Sequence, residues 1–194
     1  MSINILWDFD GTLVDSYPIF VRIFSDIIGS HIEQKEIMKH AKVSLTHAAK
    51  HYKLSQGQIQ RMLEIEKSIH PSEYRLFPYV EDVLKCANSN CIVTYNSREE
   101  VKRILGYHGL LQYFSEIIGM EDGFPRKPEV GAYQYMNEKY HVHLAVGDRA
   151  LDLLPAMELN IKTCAFQNVE INGADYYVND YNQLLHMLEK SYQV

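Results

Sequence analysis

The sequence predicts an α/β fold, a doubly wound parallel sheet with a small α-helical insertion after the first strand. Three observations carry that reading. Short apolar runs of strand length recur and stop abruptly at acidic, glycine or asparagine residues. Stretches with helical spacing separate those runs, the pattern of right-handed βαβ units. Between the first and second runs lie about sixty residues with helical periodicity only, too many for a simple crossover and too many for a structureless loop.

The first run is Ile3 to Asp8, followed by Gly11. Others are Cys91 to Tyr95, a weaker one at Glu116 to Gly119, His143 to Gly147, Ile161 to Phe166 and Tyr176 to Val178. Val80, Val83, Leu84 and Ala87 recur at helical spacing, as do Val101, Ile104 and Leu105. Pro128 stands where a first helical turn would begin, ahead of Val130, Tyr133 and Met136. Asp152 to Leu159 and Tyr181 to Leu188 give two further helices. In the insertion, Ile19, Ile23, Ile27 and Ile28 form one face, and Ile59, Leu63 and Ile65 belong to another helix. The expected boundaries are residues 1–15 and 76–194 for the α/β core and 16–75 for the helical insertion.

Composition narrows the function classes. Lys plus Arg number 19 against 25 Asp plus Glu, a formal charge of −6, with no basic stripe. Nucleic-acid binding relies on clustered positive charge, so it is not expected. With 46% hydrophobic residues the chain supports a buried core. Cys86, Cys91 and Cys164 are too scattered for a disulfide framework or a zinc site, and read as buried thiols in a reducing compartment. No apolar segment reaches the roughly 18 to 20 residues of a membrane span. A cytoplasmic protein acting on a small molecule, with neither nucleic-acid nor membrane partner, is the expectation.

Chemistry concentrates where the first run ends. Asp8-Phe9-Asp10-Gly11-Thr12-Leu13-Val14-Asp15-Ser16 puts two carboxylates one residue apart at the carboxyl end of a buried strand. Their mutual repulsion calls for a metal or a raised pKa, and ligands of open α/β sheets sit at that end. An isolated Asp-x-Asp would read as a turn cap; the full segment on a strand end is more specific.

That segment resembles the first motif of the haloacid-dehalogenase-like hydrolase superfamily, in its phosphatase branch with an α-helical cap after the motif. Three further matches follow in order: Thr94 in Cys91-Ile92-Val93-Thr94, Lys127-Pro128, and Gly147-Asp148-Arg149-Ala150-Leu151-Asp152. The surroundings of Lys127 and the Gly-Asp-Arg form resemble the phosphoglycolate-phosphatase-like group. The resemblance implies a Rossmann-like core with a subfamily I cap and Mg²⁺-dependent hydrolysis of a small phosphomonoester through an aspartyl-phosphate. The implied roles are Asp8 as nucleophile, Asp10 as general acid and base, and Thr94 and Lys127 as phosphate-binding residues. Mg²⁺ would be held by Asp8, Asp148 and the backbone carbonyl of Asp10. Asp152, four residues after Asp148, would share its helix face if the helix starts at once, supporting a metal-bound water or Lys127. Thr94 is preferred to Ser97 as the hydroxyl, because Ser97 reads as a helix start.

Two departures stand out: Trp7 replaces an aliphatic residue or Phe, and Tyr79 occupies a position commonly Gly. Asp10 fits a phosphoester rather than a carbon–halogen or carbon–phosphorus bond. The alternatives are a β-phosphoglucomutase-like phosphomutase, and an idle binding or regulatory protein on the same fold. Arg22, Lys42, Lys50 and Arg75 are candidate anion contacts in the insertion. His47 and His51, four apart, have a spacing that can bind metal, but no third ligand is evident beside them, so no metal site is assigned to the pair.

Overall fold

A computed structural model describes residues 3–29 and 31–192. The chain divides into two compact units, Met1–Val14 with Leu76–Val194, and Asp15–Arg75.

The first unit is built on a parallel sheet. Its strands are β1 (Asn4–Trp7), β4 (Ser89–Val93), β5 (Phe114–Ile118), β6 (Leu144–Gly147), β7 (Lys162–Phe166) and β8 (Tyr176–Val178); the short strands β2 (Val14–Asp15) and β3 (Arg75–Leu76) mark where the chain passes between units. The spatial order is β5-β4-β1-β6-β7-β8. Every neighbouring pair is parallel. The chain therefore builds outward on one side of β1, then crosses and builds outward on the other. The crevice at that reversal, outside the carboxyl ends of β1, β4 and β6, is where such folds bind ligands. Trp7 is level with Ile92 on one neighbour and Val146 on the other, so the three strands end side by side.

Alternation along β1 sorts its side chains between the two faces. Leu6 packs with Cys91, Val93, Tyr133 and Met136, a cluster that seats α7 (Gly131–Tyr140) on one face. Trp7 points the other way and meets Tyr181 of α9 (Tyr181–Tyr192) edge-on, with ring centroids 5.8 Å apart. Phe166 stacks on the same Tyr181 ring at 4.5 Å. α5 (Val80–Cys86) packs against α9, while α8 (Ala150–Glu158) lies on β6 and β7. The remaining helix of this unit, α6 (Arg98–Tyr107), starts at Ser97, whose hydroxyl accepts from the Glu100 N–H at 3.2 Å.

Both sequence departures have structural partners. The Trp7 indole N–H donates to Asn90 Oδ1 at 2.8 Å, and Asn90 Nδ2 donates to the Leu84 carbonyl at 3.0 Å. A buried indole thus gets the hydrogen bond it needs from a buried amide. Tyr79 caps α5 with φ at 65°, in the left-handed region that glycine occupies at least cost, and its side chain is exposed.

The second unit consists of α1 (Tyr17–Ile28), α2 (Gln34–Val43), α3 (Leu45–His51) and α4 (Gln56–Ser68). Val21 and Phe24 of α1, Ile37 of α2 and Ala48 of α3 form its core. Ser55 and Gln58 close a capping box at the start of α4. α4 contains Ile59, Leu63 and Ile65 as expected but buries no residue completely; Leu63 is exposed, and Met62 packs on the core. Among the described residues no helix is long and apolar enough to cross a membrane. Cys86, Cys91 and Cys164 are free thiols, and burial pushes Cys91 up to about 11 and Cys164 up to about 12. They stay protonated and unreactive near neutral pH.

Asn90→Ala would leave the Trp7 N–H and the Leu84 carbonyl without this partner. It should cost about 2–4 kcal/mol, measured as a lower urea midpoint followed by the fluorescence of Trp7, the chain's single tryptophan. Tyr79→Gly should act in the opposite direction, gaining about 0.5–1 kcal/mol by relieving the left-handed backbone without loss of packing.

Candidate active site

Asp8 is the first residue beyond β1. Its N–H still donates to the Val146 carbonyl at 3.0 Å, so the backbone there is held by the sheet. The chain then turns tightly: the Leu13 N–H donates to Phe9 O at 3.0 Å, the Gly11 N–H to Val14 O at 2.8 Å, and Gly11 has φ of 78°. The Tyr181 hydroxyl pins this turn by donating to Thr12 O at 2.7 Å. The Thr12 hydroxyl in turn donates to Asp8 Oδ2 at 3.2 Å.

Lys127 reaches the Asp8 carboxylate from the loop before α7. Its Nζ donates to Asp8 Oδ1 at 2.6 Å and to Asp152 Oδ1 at 2.8 Å, and its side chain is only 8% exposed. Pro128 does not open the helix as its spacing predicted. The Glu129 N–H closes a turn onto Arg126 O at 3.0 Å, and α7 starts three residues after the proline, at Gly131. The turn commits this segment to presenting Lys127 rather than to continuing into the helix.

Asp148 follows β6, and α8 begins only at Ala150, with Arg149 as its N-cap. Asp148 and Asp152 therefore do not share a helical face. Asp152 comes to the site for another reason: at the third helical position, its Oδ2 accepts the Arg149 N–H at 3.2 Å. The Arg149 side chain folds onto the same carboxylate, with Nε at 3.0 Å from Oδ2 and Nη2 at 3.2 Å from Oδ1. It also lies 3.9 Å from Asp8 Oδ1 and 3.8 Å from Asp148 Oδ1. The Tyr133 hydroxyl donates to the Asp152 backbone carbonyl at 2.7 Å. Gly147 is required by this closeness, since a Cβ there would sit 2.6 Å from Asp152 Cβ.

The carboxylates of Asp8, Asp148 and Asp152 each offer an oxygen within 4.8 Å of the others, and all three residues are buried. Asp10 adds no side-chain oxygen to that group; it lies in the turn, partly exposed. Thr94 follows β4 and is 7% exposed. Its N–H donates to Ile118 O at 3.0 Å, and its hydroxyl accepts the Asn96 N–H at 3.1 Å. Arg149, Thr12, Tyr133 and Tyr181 were given no role by sequence reasoning. Arg149 and Thr12 stood inside the quoted motifs, whereas nothing local distinguished the two tyrosines. In the helical unit, Arg22 pairs with Glu73 at 2.7 Å and Lys42 lies 5.5 Å from the Tyr17 ring centre.

Three carboxylates face two cations, Lys127 and Arg149, so with all three ionised the cluster has one negative charge in excess. Burial first, and then the charge of Asp152, raise the Asp8 pKa above its ordinary value, with Lys127 and Arg149 opposing. Burial would raise Asp152 also, but Lys127 and Arg149 outweigh it and hold that carboxyl low. Burial disfavours the Lys127 ammonium, yet Asp152 and Asp8 more than compensate and raise its pKa. An all-oxygen, net-negative donor set of this kind fits a hard divalent cation.

Because the folded pKa of Lys127 lies above its ordinary 10.5, its contribution to stability is fully present at neutral pH and lost only as pH rises through the higher value. Lys127→Met should therefore cost about 3–5 kcal/mol at pH 7. The variant's carboxylates would titrate higher still, so they take up protons on acidification. The stability gap between wild type and variant should then narrow as pH falls toward 4, as read from urea unfolding across pH.

The haloacid dehalogenase-like hydrolase family profile matches residues 5–166. A curated relative from Caldanaerobacter subterraneus subsp. tengcongensis, named "Putative pyrophosphatase PpaX", is 23% identical over 206 aligned positions, covering 95% of this chain and 94% of the relative. The structure of a "predicted phosphoglycolate phosphatase" from Haemophilus somnus 129pt superposes with a TM-score of 0.76 at 19% identity, over 96% of this chain and 97% of that one. A "putative phosphoglycolate phosphatase" from Lactobacillus plantarum gives 0.81 at 16% identity, over 96% and 100%. These two structural likenesses establish the fold. With the family profile running from the first strand of the sheet through β7, this chain belongs to the haloacid dehalogenase-like hydrolase family.

Proposed function

We propose that this hydrolase is a Mg²⁺-dependent phosphatase of small phosphomonoesters, phosphoglycolate-phosphatase-like, working through an aspartyl-phosphate on Asp8. The observation that supports it most is Lys127, buried and bridging Asp8 and Asp152 at 2.6 and 2.8 Å beside the carboxyl ends of the central strands. A buried ammonium against a carboxylate nucleophile provides positive charge where an incoming phosphoryl group would need it.

In this reading the Asp8 carboxylate attacks phosphorus, and the bond from phosphorus to the leaving oxygen breaks. Asp10 gives that oxygen a proton, then takes one from the water that cleaves the aspartyl-phosphate. Lys127 and the Thr94 hydroxyl bind phosphoryl oxygens. Asp8, Asp148 and the Asp10 backbone carbonyl are the groups that would hold Mg²⁺, which would offset the repulsion between carboxylate and phosphate. Asp152 is a positioning residue, since Lys127 and Arg149 engage both of its oxygens. The excess of carboxylates over cations supports the cation requirement, because a bound cation would favour the ionised form of Asp8 that attack demands.

The test is phosphate release from 2-phosphoglycolate, sugar phosphates, nucleotides and pyrophosphate, with and without Mg²⁺. Release should require the metal, vanish in Asp8→Asn, and fall roughly 10²- to 10⁴-fold in Asp10→Asn. Sugar-phosphate isomerisation without release would instead identify a mutase. No turnover of any compound by folded protein would remove the enzymatic reading.

A further inference from the structure

The helical unit brings together three imidazoles that the sequence keeps apart. His40 lies in the last turn of α2, and His47 and His51 lie on α3, which follows after the single residue Ser44. Ser44 fixes the corner: its hydroxyl accepts the His47 N–H at 2.9 Å and caps α3. Ile37 of α2 and Ala48 of α3, both fully buried, share one apolar cluster that joins the two helices. As a result His40 Nδ1 and His47 Nε2 face each other at 3.2 Å. The His51 ring stacks on His40 with centroids 3.6 Å apart and planes 20° from parallel. Tyr52 packs edge-on against both His40 and His51, at 5.7 and 4.8 Å.

From this geometry we propose that His40, His47 and His51 form a binding site for a borderline divalent transition cation, Zn²⁺ in the first instance, with Glu36 holding His40 in orientation. The 3.2 Å between His40 Nδ1 and His47 Nε2 is close to the edge of a tetrahedral zinc shell. At Zn–N distances near 2.0–2.1 Å that edge is roughly 3.3 Å. The spacing of the two nitrogens therefore matches that of two ligands on one cation, reached by reorienting the rings rather than by moving the helices. The other nitrogen of His40, Nε2, sits 3.0 Å from Glu36 Oε1. That carboxylate–imidazole pairing is the arrangement that fixes tautomer and orientation in metal-ligating histidines. His51 stands one helical turn after His47, and its ring plane is within 19° of parallel to that of His47. In the present rotamer its nitrogens do not converge with the other two; its ring is exposed, and ligation by His51 requires rotation about its side-chain torsions.

Imidazole donors distinguish this site from the buried carboxylates of the α/β unit. Hard Mg²⁺ prefers oxygen, whereas Zn²⁺, Ni²⁺ and Cu²⁺ take imidazole nitrogen. The site stands independently of the proposed phosphatase activity.

The test is Zn²⁺ binding by the full chain in saturating Mg²⁺, by equilibrium dialysis, with the visible spectrum of added Co²⁺ as a second readout. One equivalent of Zn²⁺ should bind at micromolar free metal, and Co²⁺ should develop tetrahedral d–d bands. Affinity should fall at least tenfold in His40→Gln and in His47→Gln, and about tenfold in Glu36→Gln. Asp148→Asn, which touches only the carboxylate cluster, should keep it. Absence of saturable binding in the wild type would overturn the proposal. So would binding that persists unchanged in a folded His40→Gln/His47→Gln double variant, or that is lost only in Asp148→Asn. An unchanged affinity in Glu36→Gln would overturn the orienting role of that residue.

Discussion

The contact of Lys127 with Asp8 and Asp152 joins segments 119 and 25 residues apart, and much of the α/β unit is arranged around what that contact costs. Three carboxylates and two cations are taken out of water at the ends of the central strands, a burial that is expensive unless each charge is met at close range. The parallel register sets the strand ends level. The Arg126–Glu129 turn delivers the ammonium, and the first turn of α8 delivers Asp152 with Arg149 folded over it. Gly147 makes room for Asp152. Each of these local choices is unremarkable alone. Together they place a cation between two anions, with a third carboxylate, Asp148, beside them.

The same electrostatics divides the work among the carboxylates. Asp152, gripped by both cations, is held ionised and has little capacity left for another ligand. Asp8 has the neighbouring charge of Asp152 against it and sits at a raised pKa. Two residues of one type, a few ångströms apart, thus acquire different proton affinities from burial and neighbours alone. Identity of side chain therefore does not set proton affinity here; the number of cations within reach of each carboxylate does.

The sheet was legible because parallel strands buried on both faces read as continuous apolar runs, and all six of its strands lie within the predicted runs or overlap them in all but two residues. The weakest signal, Glu116 to Gly119, belongs to β5 (Phe114–Ile118), an edge strand with Ser115 and Glu116 in its sequence. Edges keep polar residues, so periodicity fades there. Among candidate site residues, Asp152 stood in the last quoted motif, but the condition for its sharing a helical face with Asp148 is not met, since α8 starts at Ala150; the capping interaction with Arg149 brings it in instead. Tyr133 and Tyr181 were invisible because their role depends on hydroxyls meeting backbone carbonyls of Asp152 and Thr12, contacts that no spacing encodes. The Trp7 and Tyr79 departures could be noticed in the sequence, but their explanations, an amide on the next strand and a left-handed dihedral, belong to three dimensions.

The histidines of the helical unit show the same boundary from the other side. An i, i+4 pair on a helix is a sequence-level pattern, and on its own it supplies two ligands with no reason to choose a metal over water. What changes the reading is the corner at Ser44, which turns α3 back so that His40 meets His47 nitrogen to nitrogen. His40 is seven residues from His47, a distance with no helical meaning across a break between helices. Its contribution depends on the approach of α2 to α3, whose buried Ile37 and Ala48 share one apolar cluster. In both units, then, the residues that complete a cluster arrive through caps and core contacts rather than through the repeat that drew attention to the first members. A polar cluster is held at ligand spacing only where an apolar core beneath it prevents the charged or coordinating groups from drifting apart into water.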